Sequence, residues 1–150
     1  MKNIFDPRDV AEFVQRLERL TPSTTPQWGT MTVDQMLAHC NVAYEMVYEH
    51  THPRPNAVAR LMLRLFVKQG VVGPKPYRRS TPTAPAFKMT GVKDFVAERA
   101  RLIAYLHRVQ TDGAGAFHQR ESLSFGPLTS AEWNVLFAKH LDHHLTQFGV

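Results

Sequence analysis

The sequence predicts an all-α protein: a four-helix bundle with a short extra helix and a long proline-rich crossover, forming one domain over residues 1–150. Three observations predict it. Helix-capping chemistry opens three separate segments, apolar residues recur at helical spacing in four long stretches, and a proline-rich stretch separates the second of these from the third. Four amphipathic helices bury four apolar stripes most economically in one shared core. With 150 residues and 43% hydrophobic content, the chain is large enough to form one.

The first helix opens at "FDPRDV", where Asp6 is the N-cap, Pro7 takes the first helical position at no hydrogen-bond cost, and Phe5 can staple onto Val10. Its stripe is Val10, Phe13, Val14, Leu17 and Leu20. The second opens at "MTVDQM" with Thr32 capping and Gln35 reaching back, and carries Met36, Leu37, Cys40, Ala43, Tyr44 and Val47. A shorter amphipathic piece, Ala57 to Gln69, follows. "GVVGPKPYRRSTPTAPAF" then excludes regular structure, and its length suits a crossover between distant bundle ends. The third helix carries Val92, Phe95, Val96, Leu102, Ile103 and Leu106. An irregular stretch, "TDGAGAFHQRESLSFGP", has room for an extra turn or ribbon. The fourth helix opens at "LTSAEW" with Thr129 and Glu132, and its stripe is Trp133, Leu136, Phe137, Leu141, Leu145 and Phe148.

The formal net charge is +5 and the pI about 9.7, but the eighteen Lys and Arg run along the whole chain and no nucleic-acid-binding motif accompanies them. The most apolar run, "LMLRLFVKQGVVG", is broken by Arg64 and Lys68 well before membrane-spanning length. The expectation is a soluble, cytoplasmic protein that binds neither nucleic acid nor membrane. A single cysteine, Cys40, excludes an internal disulfide and a thiolate zinc cluster, so any metal must rest on histidine and carboxylate.

Histidine is where the chemistry concentrates. On the last helix, His140 and His144 fall on the apolar stripe, one turn apart, while His143 points elsewhere. Two inward imidazoles without partners leave hydrogen bonds unmet, and protonating both adds repulsion; a divalent metal removes both penalties. Separate hydrogen bonds to backbone or side chains would also answer, and the pair alone leaves the two readings open. Leu141 occupies the position where a zincin carries its Glu, so a metallopeptidase lacks its general base. On the second helix, His39 borders the apolar stripe and can turn inward. With it the donor count is three, which leaves a fourth tetrahedral position for water or substrate.

The segments "MLAHC" and "HLDHHLTQFG" resemble the DinB/YfiT-like metalloenzyme superfamily, in which a histidine on the second helix joins an HxxxH pair followed by a short segment ending in Gln. The blocks "WGTMTVDQMLAHC", "KPYRRSTPTAPAF" and "SFGPLTSAEWNVLFAKHLDHHLTQFGV" are more closely similar to a DinB-related family known only as a domain of unknown function. The likeness covers nearly the whole chain. It implies an up-down-down-up bundle, a metal held by His39, His140 and His144, and often a homodimer. Some superfamily members are thiol-dependent transferases or a maleylpyruvate isomerase, with a low-molecular-weight thiol at the open metal position; others have no established activity.

Several further residues invite a role. Arg99 falls near the middle of the third stripe, either as a clamp for a substrate or thiol carboxylate or as an arginine paired structurally or snorkelling past the bundle end. Arg60, Arg64 and Lys68 recur every four residues opposite Leu61, Met62, Leu65 and Phe66. That stripe suits an anionic thiol or a membrane surface, and more commonly a solvated face. Cys40 reads as a small buried hydrophobe, and His50, His52, His107 and His118 as surface residues without partners. A di-iron site is disfavoured because its one Glu-x-x-His, Glu49 to His52, runs into Pro53.

Together these readings define a mononuclear site for Zn²⁺, Ni²⁺ or Fe²⁺ on His39, His140 and His144, serving a small-molecule substrate or thiol. Transfer chemistry is preferred to hydrolysis on the family likeness. The rival is a metal-free bundle used as a dimer or interaction module, with packed histidines.

Overall fold

The computed structural model describes residues 2–49 and 51–150. Capping chemistry sets the long helices. Asp6 accepts the Arg8 N–H at 2.8 Å and starts α1 (Pro7–Glu18). Gln35 accepts the Thr32 N–H at 3.3 Å at the head of α2 (Val33–Tyr48). At α6 (Ser130–Gln147), Thr129 and Glu132 exchange both capping bonds, at 3.2 and 2.9 Å. Phe5 packs its ring against Phe117, with centroids 5.4 Å apart.

Between α2 and the third long helix the chain is helical from Ala57 to Val72: α3 (Ala57–Met62), a π-helical turn (Leu63–Val67) and α4 (Lys68–Val72). Irregular chain then leads to one 3₁₀ turn, Pro85–Phe87. The third long helix, α5 (Phe95–Phe117), is capped by Asp94 and broken at Gly113, whose φ of +73° only glycine adopts freely. The irregular stretch after it holds a ribbon, with β1 (Arg120–Ser122) antiparallel to β2 (Gly126–Leu128) and Arg120 opposite Leu128. Among the described residues the fold is therefore mostly helical, with one minor two-stranded sheet.

One apolar core runs from Ile4 to Phe148 and takes residues from all four long helices. α2 packs most extensively on α5, and α6 lies against both. Tyr44 stacks between Tyr105 and Phe137, with centroids 5.5 and 4.6 Å away, and Trp133 continues the stack at 5.3 Å from Phe137. These rings tie α5, α2 and α6 together near the histidines: Tyr44 is five residues beyond His39, and Phe137 three before His140.

Two expectations need correction. Val92 and Val96 are 95% and 66% exposed. Val92 precedes the first turn, and Val96 lies roughly 120° around the helix from buried Leu102. The basic stripe of the short helix is also only partly its solvated face, with Arg64 alone of its three residues exposed. Arg60 pairs with Glu121 and Lys68 with Glu132, so Val58, Leu61, Met62, Leu65 and Phe66 face outward. Among the described residues, no helix is long and apolar enough to cross a membrane.

Candidate metal centre

His39 on α2 and His140 and His144 on α6 meet at one point. Their ring centroids are 4.6 to 5.0 Å apart, His39 Nε2 lies 3.0 Å from His140 Nε2, and one ligand atom from each residue falls within 4.8 Å of the others. His39 and His144 are buried; His140 is partly exposed.

The hydrogen bonds around the rings decide which nitrogens are free. His39 Nδ1 is 2.8 Å from the Phe87 carbonyl, which can only accept, so Nδ1 carries the proton and Nε2 a lone pair. Gln147 Nε2 donates to the Trp28 carbonyl at 2.7 Å, which turns its Oε1 toward His144 Nδ1, 2.8 Å away. Nδ1 of His144 must then donate, and its Nε2 is also a bare lone pair. Neutral His39 thus turns an acceptor toward His140 Nε2, 3.0 Å away: an Nε2–H tautomer of His140 answers that lone pair with a hydrogen bond, and an Nδ1–H tautomer sets two lone pairs facing each other. A divalent cation bound with His140 in its Nδ1–H tautomer turns the facing lone pairs into coordination, and imidazole is the donor such ions commonly take. The donor set therefore fits a metal.

Burial also keeps the rings neutral. It pushes the His39 pKa down, the His140 pKa well below the usual range, with the neighbouring histidines adding to the effect, and the His144 pKa down to about 3. Ligand histidines must be unprotonated to bind. Cys40, by contrast, is buried beside Met36 with its thiol pKa raised, so it supplies neither ligand nor nucleophile.

Arg99 donates to the Leu20 carbonyl at 3.1 Å and lies 4.9 Å from the Phe95 ring centroid. His52 is not unpartnered, since the chain turns back after α2 and sets Nε2 2.8 Å from Glu45. His107 and His118 are exposed, and His50 lies outside the described residues.

Three participants escape reading by helical spacing. Gln147 was visible only as a motif residue, and the Phe87 and Trp28 carbonyls leave no sequence signal. Lys139 is buried next to His140 and donates to the carbonyls of Gly70, Gly73 and Lys75 at 2.9, 2.6 and 3.1 Å, pinning the end of α4 and the following loop to α6. A cleft of about 620 Å³ opens beside it, between Trp28, Tyr77, Arg79 and His143. Its lining includes none of the three clustered histidines; His143 stands between cleft and cluster, 5.1 Å from the His144 ring.

Fold and site together describe a helical protein with a buried three-histidine cluster able to hold a metal ion. The chain belongs to the DinB superfamily, whose family profile matches residues 6–148. No curated protein and no solved structure matches it.

Proposed function

We propose that this DinB superfamily protein binds one divalent metal through Nε2 of His39, His140 and His144, and that the remaining coordination position serves transfer chemistry with a low-molecular-weight thiol. The observation that carries this reading is the pair of committed Nδ1 atoms on His39 and His144, which leaves Nε2 of both as acceptors where the three imidazoles meet. A bound ion would supply Lewis acidity, lowering the pKa of a thiol or water at its open position toward neutrality. The Phe87 carbonyl and Gln147 hold the imidazoles in the ligating tautomer, and the aromatic stack fixes the spacing of α2 and α6. Membership of the superfamily supports the up-down-down-up order of the bundle, the thiol and a homodimer in the cytoplasm; the choice among Zn²⁺, Ni²⁺ and Fe²⁺ follows availability more than geometry.

Elemental analysis of protein purified without an affinity tag is expected to show about one metal per chain, lost in the His140→Ala, His144→Ala double variant. A parent as metal-poor as the variant would overturn the reading and leave a helical interaction module. Thiol addition to cobalt-loaded protein is expected to shift its visible absorption; an unchanged spectrum removes the thiol while leaving the metal.

A further inference from the structure

The helical run from Ala57 to Val72 is inside out for a surface helix. Its outward face consists of Val58, Leu61, Met62, Leu65, Phe66 and Val67, between 40% and 75% exposed, with Phe66 the most exposed. The π turn contributes to this. Its extra residue holds back the rotation of the chain, so that Leu65, Phe66 and Val67 stay outward while Val71 and Val72 after it turn in. The uncovered face is on the order of 500 Å², near the upper end of what a monomer leaves exposed.

Charge distinguishes among possible occupants. Residues 51–93 hold nine of the eighteen Lys and Arg and none of the thirteen Asp and Glu. Arg54, Arg60 and Lys68 are answered by Glu121 and Glu132 from the ribbon and α6. Arg64, on the same turn as Leu61 and Leu65, is exposed, as are Lys75 and Arg78 beyond the helix, and none of the three forms an ion pair among the described residues. A second copy docked on this face would set one acid-free segment against another, and like charges in an interface are unfavourable. A surface that is both apolar and anionic complements it. The face is moreover carried on one continuous helical run, its outward apolar residues spanning about 15 Å, the form that lies in the plane of a lipid interface with its apolar side immersed.

We propose that the Ala57–Val72 helix docks this protein on anionic phospholipid bilayers, with Leu61, Leu65 and Phe66 entering the acyl boundary and Arg64, Lys75 and Arg78 meeting the headgroups. This reverses the expectation that the protein avoids membranes, and it does not depend on the metal reading. The test is flotation of the full chain with vesicles of phosphatidylcholine alone or with about one-third phosphatidylglycerol. The protein is expected to float with the anionic vesicles only, and to be released as salt rises from about 0.05 to about 0.3 M. The Leu65→Ser, Phe66→Ser variant, altered only at exposed positions, is expected to bind at least about tenfold more weakly while keeping its helical circular dichroism. Absence of flotation with anionic vesicles, or flotation unchanged in the variant, overturns the proposal. So does a dimer seen by light scattering that the variant dissociates, which would assign the face to a second copy.

Discussion

Replacing Gln147 with Leu separates the support of the histidine cluster from the cluster itself. The side chain is buried and spans His144 Nδ1 and the Trp28 carbonyl, so Leu leaves one donor and one acceptor unanswered. Each orphaned buried group costs about 1–3 kcal/mol, against which burying Leu returns about 1–2 kcal/mol. The expected net loss is about 3 kcal/mol, or a Tm lower by roughly 6–12 °C for a chain of this length. Metal affinity is expected to fall about 10–100-fold, because the His144 ring is freed to rotate and to change tautomer. Competition with a chromophoric chelator measures the second quantity, and thermal unfolding of chelator-treated protein the first. Gln147→Glu makes the comparison sharper. A carboxylate still accepts from His144 Nδ1 but cannot donate to Trp28, so affinity should persist while stability falls. If Gln147→Leu kept both the affinity and the Tm of the parent, the argument that Gln147 orients His144 would be refuted.

Four further outcomes follow from the same contacts. Metal-free protein should lose stability in acid: the cluster pKa values are lowered on folding, so the unfolded chain takes up protons first, and stability present above about pH 6.5 declines toward pH 3 by up to about 1.4 kcal/mol per group per pH unit. Urea midpoints that stay constant across that window would contradict it. Lys139→Met leaves three carbonyls unanswered, should cost about 2–4 kcal/mol, and should speed amide exchange across residues 70–76; unchanged exchange there would mean that the loop is held by something else. In Gly29→Ala the new Cβ sits 2.7 Å from Gln147 Nε2 at a φ of +83°, so Tm and metal affinity should fall together, and a neutral result would show that Gln147 has room to move. Arg99→Met should cost about 1 kcal/mol through the Leu20 bond and leave metal affinity unchanged; a large affinity loss would return Arg99 to the site.

The long helices and the three histidines were legible because both depend on local rules. Caps at Asp6, Thr32 and Thr129 act within a turn, and the i, i+4 spacing of His140 and His144 puts both on one helix face whatever packs against it. His39 was legible as a boundary residue, and it turned inward because the 3₁₀ turn brings a carbonyl to its Nδ1. What escaped depends on contacts distant in the chain. The pattern of α3 and α4 shows two faces but not which one is turned in; Glu121 and Glu132, more than fifty residues away, decide that. A lysine one residue before His140 likewise reads as solvated until the loop carbonyls that surround it are known.

The Phe87 carbonyl carries one more implication. A main-chain oxygen keeps its place when its side chain is exchanged, so a mutational scan would record Phe87 only for its ring packing against His39 and His140 and miss its grip on the imidazole proton. What that grip cannot survive is a change in path. Lengthening or shortening the chain between Lys75, held by Lys139, and Phe87 would move the oxygen bodily. The length of a stretch that looks like spacer is thereby set by the protonation of a ring on another helix.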